Sequence, residues 1–96
     1  MPQTTQVRGI ATHIRHAGDF TLVFYHNTAV VRFDATKIWL NSGGWRTPTT
    51  KLRMNQAASQ FNLGYRVYQH DFAWYVKLSD NDQPLIFSDG MVFARS

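Results

Sequence analysis

The chain has 96 residues, 44% of them hydrophobic and 15% aromatic, enough for one small packed domain and too apolar for a disordered tail. It contains no cysteine, which excludes a disulfide framework and a thiolate metal site and fits a reducing compartment. Ten lysines and arginines against six aspartates, with no glutamate, give a formal net charge of +4.

From the N-terminus, residues 7–16 are rich in β-compatible side chains and end at Ala17-Gly18-Asp19, a turn signal. Residues 20–26 alternate Phe20, Leu22 and Phe24 against Thr21, Val23 and Tyr25. A turn at His26-Asn27-Thr28 leads into residues 29–33, and another at Asp34-Ala35-Thr36 into residues 37–40. Short strands joined by tight turns describe an antiparallel meander. Strands two and three carry apolar residues on both faces. One face is therefore expected on a helix and the other on a partner or a second sheet.

A single helix is expected over residues 48–62. Thr47 suits the N-cap, and Pro48 the first helical position, where a missing N–H costs nothing. Met54, Ala57, Ala58 and Phe61 recur at i, i+3, i+4 and i+7, a narrow apolar stripe for packing on a sheet. Leu52 lies off that stripe and needs another neighbour. Gly64 is placed to end the helix in a left-handed conformation.

The rest returns to β. Residues 65–69 and 72–78 read as a hairpin around His70-Asp71, followed by a polar loop over residues 79–83. A last pair, residues 85–87 and 91–93, flanks Ser88-Asp89-Gly90, whose Asp-Gly favours a tight hairpin turn. The expected fold is a single α+β domain of order ββββαβββ(β). Its strongly bent antiparallel sheet of seven to eight short strands, barrel-like or half-barrel, packs on the one helix.

The stretch from Ser42 to Lys51, SGGWRTPTTK, crowds anion-friendly groups at the start of that helix. A helix N-terminus carries unpaired N–H groups and the positive end of the helix dipole. Gly43 and Gly44 would allow close backbone approach, and Thr47, Thr49 and Thr50 add hydroxyls. Arg46 can fork onto a phosphate, Lys51 supplies a point charge, and Trp45 could stack on a base. Arg46 and Lys51 flank the apolar stripe, so both are expected to bind without supporting the fold. The opposing reading makes Gly-Gly a turn, Trp45 a core plug and the bases solvated. The spacing is not that of a Walker A loop.

Residues 35–70 hold no carboxylate but do hold Lys37, Arg46, Lys51, Arg53 and Arg66, an uncompensated basic block that points to polyanions. Alternation on the predicted hairpin gathers Arg66, Tyr68, His70, Tyr75 and Lys77 on one face. Bases interleaved with tyrosines suit a single strand, by phosphate contact and base stacking. His13 and His16, three apart on a strand, face opposite ways and cannot easily share a metal. No cofactor or metal is expected. Catalysis is not expected either, the minor exception being a metal-independent nuclease built from His70, Tyr68, Arg66 and Lys51.

Ser42 to Thr47, Thr49 to Lys51, Arg53 to Asn55 and Val67 to Gln69 match a recurring pattern, SGGWRT, TTK, RMN and VYQ. In this, and in YHNTAVVRF and FSDGM, the chain resembles small proteins encoded in tailed-phage genomes. The resemblance covers most of the chain and implies a viral setting, not a mechanism. A phage origin favours nucleic-acid handling or interference with host machinery.

The sequence lacks a secretory signal and any apolar run of membrane-spanning length, so a soluble protein of the host cytoplasm is expected, without membrane partners. The expected partner is nucleic acid, single-stranded favoured, or a small nucleotide. The alternatives are an inhibitor that binds a host protein through an aromatic sheet face, and an anti-defence module that sequesters small nucleotides by holding one phosphate group at the helix terminus. Exposed aromatics also suggest a homodimer.

Overall fold

The computed structural model describes Val7, residues 9–79 and residues 83–95. Most of the polar loop expected over residues 79–83, and Arg8 of the first expected strand, lie outside those residues. Four antiparallel strands open the chain: β1 (Thr12–Ala17), β2 (Phe20–Tyr25), β3 (Thr28–Phe33) and β4 (Lys37–Leu40). The first strand is shorter than its composition implied, because Gly9 (φ 142°) and Ala11 (φ 56°) leave extended geometry just before it. Gly18 (φ 61°) turns β1 into β2, pairing Ala17 with Phe20. The register shifts between Val23 and Phe24, whose partners are Val31 and Ala29. Val30 is thus the extra residue of a bulge. That breaks the alternation and lets the consecutive valines Val30 and Val31 both reach the core.

Asp34 makes the β3–β4 turn. Its Oδ1 accepts from the backbone N–H groups of Thr36 and Lys37, each at 2.8 Å. Those bonds favour the ionised form, Thr36 first and Lys37 next, and hold the carboxyl below its ordinary value of 3.8. The stabilisation is complete above the ordinary value and is lost as pH falls through the lower folded one. Asp34→Asn should therefore flatten the acid end of a plot of denaturation midpoint against pH. An unchanged acid limb in the variant would refute this account of the turn.

Helix α1 (Pro48–Phe61) follows, with Thr47 at the N-cap accepting from the Thr50 N–H and Pro48 at the first position. Met54, Ala57 and Ala58 are buried, and Phe61 packs on Phe33 with ring centroids 4.9 Å apart. Leu52 is half-buried and lines a shallow depression together with Val67 and Tyr68. The helix stops earlier than expected. Asn62 takes the left-handed cap (φ 54°), Gly64 is also left-handed (φ 74°) two residues on, and the N–H groups of Asn62 and Leu63 both reach the Ala58 carbonyl. Asparagine tolerates this conformation because its short polar side chain can satisfy itself locally.

Strands β5 (Tyr65–His70) and β6 (Ala73–Leu78) form the expected hairpin, with Tyr68 opposite Tyr75 and Arg66 opposite Lys77. Phe72 departs from the expected apolar face. It sits in the two-residue turn with Asp71, both at positive φ (68° and 50°), and is 95% exposed. A two-residue hairpin needs that backbone to match strand twist, and this overrides the alternation that placed Phe72 inward.

The last two strands do not pair with each other. β7 (Leu85–Ile86) joins β6, whereas β8 (Met91–Ala94) joins β4. The result is a five-stranded sheet of order β1-β2-β3-β4-β8 and a three-stranded sheet of order β5-β6-β7. No barrel closes. The Asp89-Gly90 turn carries the chain from one sheet to the other instead of closing a hairpin. Asp89 is committed elsewhere, its Oδ1 accepting from both the N–H and hydroxyl of Ser42 at 2.7 Å.

The core lies between the sheets and the helix, around Val23, Val31, Ile38, Leu40, Met54, Val67, Trp74 and Val76. Tyr65 is buried within it and donates to the Met54 carbonyl at 2.6 Å. Its burial pushes the phenol well above the ordinary range.

Candidate functional site

The SGGWRTPTTK stretch is pinned from beneath. Besides the Asp89 bonds to Ser42, Gly43 N–H donates to Asn41 Oδ1 at 2.8 Å and Gly44 N–H to Ser42 Oγ at 3.2 Å. Trp45 N–H reaches the Ser42 carbonyl. Gly43 is required by packing, since an added Cβ would lie 2.5 Å from Thr28 Oγ1, at φ 63°. Its close approach is to Thr28. Gly44, at φ 85°, faces open space.

The helix terminus itself is mostly satisfied internally. Thr47 Oγ1 accepts from Thr50 N–H, the Thr47 carbonyl accepts from Lys51 N–H, and Pro48 has no N–H. That leaves the Thr49 N–H as the open donor of the first turn. Thr50 is fully buried, with its hydroxyl 3.1 Å from that of Thr47. It serves the cap and cannot meet a ligand as expected.

Arg53 is also withdrawn. It is 8% exposed, donating from Nε to Thr12 Oγ1 at 2.7 Å and from Nη1 to Gln56 Oε1 at 3.3 Å. The expectation of phosphate contact at Arg53 therefore fails on geometry. Its neighbours belong to β1, which sequence spacing from the helix could not place.

Trp45 is no core plug, being 66% exposed. Arg46 and Lys51 point the other way, toward the three-stranded sheet. The Arg46 guanidinium lies 4.9 Å from the Phe87 ring and 5.8 Å from that of Trp74, while Lys51 Nζ lies 5.5 Å from Trp74. Lys51 Nζ also donates to Gln69 Oε1 at 3.2 Å. Two cations thus converge on one aromatic pair. The expectation that they take no part in the fold needs revision, since each cation over an aromatic face contributes about 0.5–1 kcal/mol at exposed sites.

From there a track runs between α1 and the edge of β5. Three shallow depressions, of about 250, 220 and 370 Å³, meet end to end through shared residues, Arg66 lining all of them. The first begins at Pro48 and Lys51, and the last ends at Lys77 and Ser79. No carboxylate lines the track among the described residues. Tyr68 and Tyr75 stack beside it, centroids 5.6 Å apart at 25°. His70 continues the same face but sits 3.3 Å from Asp71, with both side chains exposed. Asn55 closes the β5 edge, pairing its carboxamide with both backbone groups of Val67.

The outer face of the five-stranded sheet is the face of strands two and three that was expected to meet a partner or a second sheet, although Arg32 and Trp39 were not singled out on it. Arg32 lies 4.3 Å from the Trp39 ring and 5.2 Å from Phe20, while His13 stacks on Phe24 at 4.8 Å, with Arg15 also over it. Apolar residues on both faces of β2 and β3 were the signal, but no second sheet among the described residues covers this face. His13 and His16 do face opposite sides, His13 pairing across from Phe24 and His16 from Thr21. Among the described residues no group of three or more histidines and aspartates comes together to hold a metal. Nor is any helix there long and apolar enough to cross a membrane.

A family model described as Kyanoviridae Gp96 protein matches residues 3–94 of the chain. The chain belongs to that family. Comparison with curated proteins and with solved structures finds no match. The Gp96 family is one of tailed-phage proteins, and its name states no activity. The phage setting expected from the sequence therefore stands. In this Gp96-family chain the match spans both sheets and the helix, so the track and the loop above it lie inside the family's common extent.

Proposed function

We propose that this Gp96-family protein binds single-stranded nucleic acid along the track between α1 and β5. Lys51, Arg66 and Lys77 contact successive phosphates, with Arg46 beside Lys51, and the Tyr68–Tyr75 pair offers a face for base stacking. The observation that carries this reading is the continuity of the track, with cations along its length and no carboxylate among the described residues lining it. A duplex is a poorer fit, because a shallow groove at a strand edge suits a flexible backbone better than a rigid rod.

Fluorescence anisotropy with a labelled oligothymidylate at 50 and 200 mM salt tests it. With about 0.7 of salt slope per phosphate contact on a single strand, three contacts predict about a 20-fold loss of affinity across that range. The double variant Arg66→Ala, Lys77→Ala should lower the slope by about 1.4. Salt-independent binding, or a double variant that binds as before, would sink the reading.

A second reading, binding to a host protein, is favoured by the outer face of the five-stranded sheet. Tryptophan and arginine are enriched at interface hot spots, and Trp39 and Arg32 lie there with Phe20. Capture of a host protein that persists after nuclease treatment, and is lost in Trp39→Ala, would support it over the first.

A further inference from the structure

The β2–β3 turn and the Trp45 loop enclose a cleft that the track does not use. Its volume is about 520 Å³, and it is lined by Tyr25, His26, Asn27, Thr28, Trp45 and Thr47. That size falls within the range of small-molecule sites, roughly 300–1,000 Å³. One wall is the indole of Trp45, and the other brings Tyr25 and His26 rings to 4.4 Å. No Asp, Glu, Lys or Arg lines it. The composition is three rings, three hydroxyls (Tyr25, Thr28 and Thr47) and one carboxamide.

The cleft is held open by backbone rather than by a mobile side chain. His26 takes a left-handed conformation (φ 55°), its N–H bonded to the Ala11 carbonyl at 2.7 Å. Gly43 is wedged against Thr28 on the facing loop, which Asp89 secures through Ser42. Non-glycine residues at positive φ persist when the surroundings over-determine them, and such positions cluster at ligand sites. The Thr47 hydroxyl is spent on the helix cap. Asn27, by contrast, makes no hydrogen bond among the described residues, leaving a donor and an acceptor for a ligand's edge.

We propose that this cleft binds a nucleobase, with a purine stacked on Trp45 and read by Asn27. A flat, uncharged ring with hydrogen bonds on its rim matches the lining. An aliphatic group would waste the rings, and a phosphate would find no cation. A carboxamide can pair in bidentate fashion with the N6 and N7 edge of adenine, so adenine is the base expected to bind best. The site stands apart from the track, and either can exist without the other.

The test is nitrogen-15 NMR on the full chain, titrated with adenosine, guanosine, cytidine, uridine and adenosine monophosphate. The chain has 3 tryptophans, and their indole N–H signals report separately. Adenosine should shift the Trp45 signal saturably, with a dissociation constant on the order of 1 mM, and leave those of Trp39 and Trp74 in place. Adenosine monophosphate should bind within about twofold of adenosine, equally at 50 and 200 mM salt, since no cation lines the cleft. Asn27→Ala should weaken adenosine about tenfold, toward the level of the pyrimidines, as the loss of one good bidentate pair implies. Trp45→Ala should abolish binding while oligothymidylate binding at the track persists. Absence of any Trp45 shift at 10 mM nucleoside, or adenosine affinity unchanged in Asn27→Ala, would overturn the assignment. Loss of track binding with nucleoside binding intact would overturn the function above and leave this site standing.

Discussion

Arg53→Ala should lower stability by about 3–5 kcal/mol, and the melting temperature by about 20 °C in a domain of this size. The guanidinium is buried without a carboxylate partner among the described residues, so neutral acceptors offset its desolvation. Nε donates to Thr12 on β1, Nη1 to Gln56 on α1, and the Tyr25 ring lies 5.8 Å away. Gly9 lies directly on the group, since a Cβ there would fall 1.9 Å from Nη2. Truncation therefore opens a cavity, strips Gln56 of its donor and frees the start of the five-stranded sheet from the helix. Hydrogen bonds to charged groups are worth about 1.5–3 kcal/mol each, and two are lost. Arg53→Lys should recover less than half of this, because a point charge cannot reach both acceptors in the fork's geometry. Denaturant titration of the three proteins measures the series. A melting temperature for Arg53→Ala within a few degrees of the parent would show that the guanidinium is tolerated rather than structural.

Asn55→Ala should cost about 2–4 kcal/mol by a different route. Asn55 gives the β5 edge what a neighbouring strand would give: Oδ1 accepts from Val67 N–H at 2.8 Å and Nδ2 donates to the Val67 carbonyl at 2.9 Å. Val67 is itself buried, so alanine leaves a donor and an acceptor unpaired, at about 1–3 kcal/mol each. It also uncovers a strand edge, which invites pairing with another chain. Asn55→Asp should fall between the two, because it still accepts from the N–H but repels the carbonyl. Urea denaturation gives the energies, and light scattering near the transition reports the edge. Should the alanine variant be as stable as the parent and remain monodisperse, water replaces the carboxamide and the cover is dispensable.

What local sequence dictates is visible in the elements. The meander follows from alternation and turn residues, and α1 from Thr47-Pro48 and the 54/57/58/61 stripe. The gathering of Arg66, Tyr68, His70, Tyr75 and Lys77 on one face followed from period-two geometry, which a two-residue turn then registered. These rules act within a few residues of chain, so one sequence suffices to apply them. Other features depend on which strands become neighbours, and no local rule supplies that. Asp89 read as a hairpin residue until β8 paired with β4, leaving its carboxylate beneath Ser42. Arg53 read as a surface base, because nothing near it in sequence shows that β1 would lie over the helix. The SGGWRTPTTK stretch was read as one site but is divided in space, Trp45 facing the β2–β3 turn and Arg46 and Lys51 facing Trp74. A loop that joins two sheets presents successive side chains to different surfaces. Composition determined that this protein would concentrate bases and rings there, and only long-range packing decided which surface each one serves.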